Sequence, residues 1–206
     1  MRTDFDPAAM GGRAFYRLLT SVVVPRPIAW VSSVSADGVD NLAPHSFFTV
    51  ASVTPPIVSF TSVGEKDSLR NIRQTGEFVI SLAPEELFEA VNATGTNFPA
   101  EVSEFDAAGL TREPSATVKP SRVAASPVAL ECRLHEIHPV GDCFVVYGEI
   151  TCAAVRTEVL DAAGHPRIEM LRPLSRLGLN EWGTLGEIKD ITRIRAEDWP
   201  GHYRLG

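Results

Sequence analysis

The chain has 206 residues, 44% hydrophobic and 22% charged, with a net charge of −7 and a pI near 5.2. This is an ordinary soluble composition sized for one domain with at most a modest extension. The acidic balance, without any Lys/Arg run, argues against a nucleic-acid-binding face. The longest apolar runs, such as residues 21–24 and 144–147, are far too short to span a bilayer, and residues 1–9 lack the apolar core of a signal peptide.

The elements follow in chain order. Phe15, Leu18 and Leu19 give residues 13–20 the spacing of a short helix. Pro25 and Pro27 break it, and residues 28–34 read as a strand. Asp37-Gly38 is a hairpin turn signal. Residues 41–52 return as a second strand, stopped by Pro55-Pro56, and the apolar run 57–61 is a third, expected at the centre of a sheet. Residues 68–75 form a helix with Leu69 and Ile72 on one face and Gly76 at its C-terminal end. Residues 77–82 are a strand. Pro84-Glu85-Glu86 opens another helix, with Leu87, Phe88 and Val91 inward. Residues 94–102 read as loop and 104–109 as a brief helix. Alternation from Val128 to His135 predicts a half-buried strand, and Gly141-Asp142 turns into another over 144–155. Residues 161–166, between apolar segments, are expected to form a hairpin. Strands that follow one another directly give an α+β fold, mainly β, with an antiparallel sheet whose closure into a barrel would remove its edges.

Cys132, Cys143 and Cys152 form no CxxC pair, and an odd, sparse set suits a reducing cytoplasm. The five histidines show no zinc spacing, so no metal site is expected. No Gly-x-Ser-x-Gly elbow or Walker loop is present, and Gly11-Gly12 follows no strand.

The chemistry concentrates between Asn41 and Ser68. Lys66-Asp67-Ser68 opens a helix and reads either as an ordinary cap or as a phosphate site, with a point charge, a hydroxyl and unpaired backbone N–H groups. Thr61, Ser62 and Gly64 add donors and freedom. The stretch Asn41, Ala43, Pro44, His45, Ser46, Phe47, Phe48 reads either as a solvated barrel rim or as a wall for a flat aromatic ring. A flat ring with a phosphate tail has the shape of flavin mononucleotide (FMN). His45 beside such a ring would either titrate near neutrality or point to solvent. Gly141-Asp142-Cys143 reads as a turn. Arg176-Leu177-Gly178 is either a packed tail or a ligand contact, and the three tryptophans read as core or interface.

The ordered set Arg26-Pro27-Ile28-Ala29-Trp30, Asn41-Leu42-Ala43-Pro44-His45-Ser46-Phe47-Phe48, Pro55-Pro56-Ile57-Val58, Lys66-Asp67-Ser68-Leu69-Arg70-Asn71-Ile72, Thr75-Gly76-Glu77-Phe78-Val79, Glu104-Phe105, Ser126-Pro127-Val128-Ala129 and Arg176-Leu177-Gly178 resembles the flavin reductase-like family. The resemblance covers about residues 14–180, leaving 181–206 as a C-terminal tail of one FMN-binding split-barrel domain. It implies a homodimer with FMN near the interface, the 41–49 strand on the ring, and Thr61, Ser62 and Lys66–Ser68 on ribityl and phosphate. It also implies electron transfer from NAD(P)H to or through flavin, sometimes for a partner monooxygenase. Short reductases of the family carry histidine where Cys143 stands, placing the nicotinamide. Cys143 is thus the candidate nicotinamide-side position, and its thiol puts direct NAD(P)H use in question. Two alternatives are a tightly FMN-bound electron carrier and a non-redox barrel that binds another ligand or partner.

Overall fold

The run at residues 29–34 carries no polar face because both of its faces are covered. In the computed structural model, which describes residues 1–199, strand β1 (Ala29–Val34) separates two hydrophobic cores. Ala29 and Val31 join Phe60, Leu69, Ile72, Phe78 and Val146 on one side. Trp30 turns the other way, to Leu42, Val91 and Phe105. Its buried indole N–H donates to Thr94 Oγ1 at 2.9 Å, which meets the requirement for a partner.

The remaining long strands are β2 (Asp40–His45), β3 (Phe48–Ser52), β4 (Ile57–Val63), β5 (Glu77–Leu82), β6 (Val128–Val140) and β7 (Cys143–Val155). They form one antiparallel sheet in the order β2-β1-β5-β6-β7-β4-β3. Its outer strands, β2 and β3, are consecutive in sequence and joined only by Ser46 and Phe47. The sheet therefore curls on itself, the mainly β, α+β split barrel that was expected. The single strand expected over 41–52 is corrected here. Its first half pairs with β1 and its second with β4, so the chain must bend at Ser46-Phe47.

Helix α1 (Gly12–Val22) lies before the barrel, α2 (Asp67–Thr75) follows β4, and α3 (Phe88–Ala93) and α4 (Glu104–Ala107) cover the second core. Leu69 and Ile72 sit on one face of α2 and fill the first core. Gly76 ends α2 at φ 71°, a left-handed conformation that favours glycine. Phe88 was expected inward. It is instead 40% exposed, with its ring edge-on to Trp182 at 5.2 Å between centroids. The expected 161–166 hairpin is present in a short form: Leu160 and Pro166 form an isolated antiparallel bridge, Asp161 N donates to His165 O at 2.9 Å and Arg167 N to Val159 O at 2.8 Å. Asp161 Oδ1 accepts from Ala163 N and His165 N, at 2.9 and 2.8 Å, and Ile168–Leu171 is a helical turn.

The C-terminal segment returns to the start of the chain. Ser175–Arg176 pairs with Arg26–Pro27 and with Trp182–Gly183. The Arg26 guanidinium donates to Thr20 O, Val23 O and Leu177 O, which fastens this segment to the end of α1. Gly178 packs so close that a Cβ there would lie 2.6 Å from Ser21 Oγ. The part of the expected tail from residue 200 onward, including His202, lies outside the described residues. Among the described residues no helix is long and apolar enough to cross a membrane.

Candidate functional site

The bend between β2 and β3 opens a cleft of about 480 Å³ at one mouth of the barrel, within the usual range for ligand sites. One wall is Asn41, Ala43, Pro44, His45, Ser46 and Phe47. Thr61 and Lys66–Ser68 form the floor and one end, and Tyr16, residues 94–98, Ala100 and Glu104 form the far wall. Two residues named from the sequence lie elsewhere. Ser62 points away, fully buried, and its hydroxyl donates to Gly64 O at 2.9 Å. Alternation along β4 puts it opposite Thr61. Phe48 sits past the bend, on an apolar hollow beside Leu19 and Pro27.

Lys66 is the N-cap residue of α2, with extended backbone. No side chain caps this helix among the described residues, so its first N–H groups remain donors toward the cleft. Of the two readings of Lys66-Asp67-Ser68, the ordinary side-chain cap is therefore not the one formed. Asp67 instead pairs with Arg70, and Arg73 with Glu65. Lys66 has no ion pair among the described residues. Helix end and ammonium together make an anion site.

Behind it lies a buried polar chain. Ser68 Oγ donates to Asn41 Oδ1 at 2.8 Å, and Ser33 Oγ approaches the same oxygen at 3.3 Å. Asn41 Nδ2 donates to both Glu104 oxygens at 3.1 and 3.0 Å, and Leu42 N donates to Glu104 Oε2 at 2.8 Å. Burial pushes the Glu104 carboxyl up, against these bonds, which favour the charge. Glu104 fixes which way the Asn41 amide points. The sequence marked Glu104 only through the family pattern, because its partners lie more than sixty residues away.

His45 is 8% exposed, packs on Phe60 at 4.7 Å between ring centroids, and leaves Nε2 buried without a partner among the described residues. Burial lowers its pKa to about 4; a hydrogen bond with the Thr61 backbone raises it and nearby Lys66 lowers it further. The imidazole is therefore neutral at pH 7. It neither titrates near neutrality nor points to solvent, because the β2 register turns it onto the core beside Phe60. Cys143 lies outside the cleft, at the start of β7 opposite Val63. Burial and the neighbouring Asp142 both raise its pKa, and its thiol donates to Asp142 Oδ1 at 3.3 Å.

The flavin reductase-like domain model matches residues 21–171. The chain belongs to the flavin reductase-like family. A protein of Aquifex aeolicus (strain VF5) that bears no assigned function is 41% identical over 180 residues, covering 85% of this chain and 92% of the relative. Nitrilotriacetate monooxygenase component B from Bacillus cereus superposes with a TM-score of 0.87 at 30% identity, covering 93% of this chain and 99% of that one. The 2-nitrobenzoate 2-nitroreductase NbaA of Pseudomonas fluorescens superposes at 0.88, also at 30% identity, covering 94% and 98%. Membership supports an oxidoreductase that works with a flavin.

Proposed function

We propose that this member of the flavin reductase-like family binds FMN in the cleft and passes electrons from NAD(P)H to or through it. The observation that carries the reading is the uncapped start of α2 beside Lys66, set at one end of a cleft of about 480 Å³. The residues present fit the group. Lys66 and the first N–H groups of α2 hold the phosphate. Thr61 lies along the ribityl chain, and Ala43–Phe47 offers backbone N–H and C=O groups and apolar surface to the ring. The unpartnered His45 Nε2 is a buried polar atom left over by the protein's own bonding.

When bound, FMN would supply the redox chemistry, as the acceptor of the hydride from NAD(P)H, which no side chain of the protein can take up. The protein's contribution is orientation. Asn41 is locked by Glu104 and Ser68, and neutral His45 adds no charge beside the ring. Phe47, Tyr16 and Phe98 restrict water. Delivery of electrons to a monooxygenase partner suits the family and its neighbours.

A homodimer belongs to the same reading. Tyr16, Leu19 and Val22 of α1 and the following Val23 expose apolar surface beside the cleft, at 46–64%, a patch that a second copy would cover. A tightly flavin-bound carrier is the second reading, favoured by the position of Cys143 outside the cleft.

Titration with FMN decides the matter. Flavin fluorescence should be quenched at one FMN per chain at micromolar protein, and NADH or NADPH should then bleach the bound flavin under anaerobic conditions. Absence of quenching ends the flavin reading. Binding without bleaching selects the carrier.

A further inference from the structure

A smaller hollow of about 210 Å³ adjoins the main cleft through Pro44, Ser46 and Gly95. Arg176, Trp182 and Asn92 close it. The Arg176 guanidinium lies over Trp182, 4.6 Å from the ring centroid. It donates to Leu179 O at 2.7 Å and to Glu181 O at 3.3 Å. No carboxylate pairs with it among the described residues, although burial lowers its pKa and the Tyr16 hydroxyl is close enough to interact with it. Buried Arg26 adds a second guanidinium close enough to feel Arg176. Of the two, only Arg176 lines the hollow; Arg26 lies outside it with its guanidinium donating to Thr20 O, Val23 O and Leu177 O, so only carbonyls and a phenol balance the Arg176 charge. A half-buried guanidinium without a counter-charge is unfavourable unless an anion completes it.

That corner is not where the flavin phosphate goes. Asn41 and His45 lie at opposite ends of the extended part of the wall, four residues apart, with Ser46 following at the bend. At roughly 3.3 Å per residue the separation of Asn41 and His45 is about 13 Å. Lys66 and Ser68 occupy the Asn41 end, so one phosphate cannot serve both.

We propose that Arg176, braced on Trp182, is the oxyanion-binding element of a second subsite, which seats the anionic group of the molecule that exchanges electrons with the bound flavin. This rests on the flavin reading above. The ligand carries a carboxylate or phosphate on or near a planar ring. The guanidinium offers a planar fork to the oxyanion, while Trp182 and Pro44 offer apolar surface to the ring. Two sources share that chemistry, the pyrophosphate of a nicotinamide dinucleotide and an arene carboxylate.

The test uses protein loaded with FMN, with loading measured first. If FMN does not load, the flavin reading fails, and this proposal with it. On loaded protein, benzoate, neutral benzamide and ADP-ribose are titrated separately and followed by the change in flavin absorption. Benzoate or ADP-ribose should bind, and benzamide should bind at least tenfold more weakly than benzoate where benzoate is the better anion. Arg176→Gln should weaken the anion about ten- to a hundredfold and leave FMN affinity within about twofold. Arg176→Lys, which keeps the charge without the fork, should fall between; it also serves if the Gln variant loosens the 177–183 segment. Binding of benzoate alone identifies an arene carboxylate, and binding of ADP-ribose alone identifies the dinucleotide. Loaded protein on which neither anion registers, or an Arg176→Lys variant indistinguishable from wild type in anion affinity, overturns the subsite and leaves the flavin reading standing.

Discussion

Ser68 Oγ spends its proton on Asn41 Oδ1, at 2.8 Å, and the amide is held to receive it because Glu104 takes both bonds from Asn41 Nδ2. A phosphate accepts hydrogen bonds, so a hydroxyl already committed to Asn41 adds little to holding it. The anion site then depends on Lys66 and on the backbone N–H groups of α2, which no side chain substitution at residue 68 removes.

The two residues should therefore separate on mutation. Lys66→Ala is expected to weaken FMN by about ten- to a hundredfold, as for loss of a bond to a charged group, and to leave riboflavin, which has no phosphate, nearly unchanged. Ser68→Ala is expected to weaken both flavins by a similar, smaller factor, because it acts through Asn41. Parallel fluorescence titrations measure this. A Ser68→Ala defect confined to FMN would show that the hydroxyl turns to the phosphate when it arrives.

Glu131 is fully buried beneath residues 116–122. Burial disfavours its charge, but the Thr117 hydroxyl, Ala116 N, Arg122 and Thr117 N outweigh that and hold its pKa at about 2. The folded pKa lies below the unfolded value of about 4.3. Its stabilisation is therefore present above pH ~4.3 and is lost as the pH falls from there toward 2. Urea midpoints should drop across that window. Glu131→Gln should cost about 1–3 kcal/mol at pH 7 through its lost charge-assisted bonds, since Arg122 keeps its pair with Glu113 at 2.8 Å, and should flatten the acid limb. An acid limb as steep in the variant as in wild type would assign the loss to other carboxylates.

What the sequence revealed follows from range. The strand at residues 28–34, the Asp37-Gly38 turn, the glycine stop at Gly76 and the turn at Gly141 are local, set by residues within a few positions. Much of the cleft was legible for the same reason: Asn41–Phe47, Thr61 and Lys66–Ser68 are neighbours in sequence, and the barrel only folds them together. The bend at Ser46-Phe47 was not legible, because it exists only once β2 and β3 pair with different strands. Glu104 and Trp182 were missed as site elements because their partners are distant. His45 was misjudged for a related reason: its neutrality comes from Phe60 and the closed barrel, neither adjacent to it in sequence.

Gly148 on β7 illustrates the same dependence within the core. A Cβ there would lie 2.2 Å from Phe78 Cζ and 3.0 Å from Cys132 Cβ, and Phe78 is itself wholly buried against Phe60. The ring has no free space to move into. Gly148→Ala should destabilise the fold by about 1–3 kcal/mol through overpacking, read as a shift in the urea midpoint. No shift would mean that Phe78 has another rotamer available.

His45 gives the last prediction. Its folded pKa of about 4 lies below the unfolded value of about 6.5. The neutral, buried state therefore contributes stability that is fully present above pH ~6.5 and is lost progressively as the pH falls from there toward 4. In an NMR titration the His45 ring protons should hold their shifts from pH 8 to 5.5. FMN affinity should be flat over the same range if the imidazole stays neutral in the complex. His45→Phe should remove its share of the fall in stability between pH 6.5 and 4. A His45 titration centred near 6.5 would show that the imidazole is not held dry against Phe60.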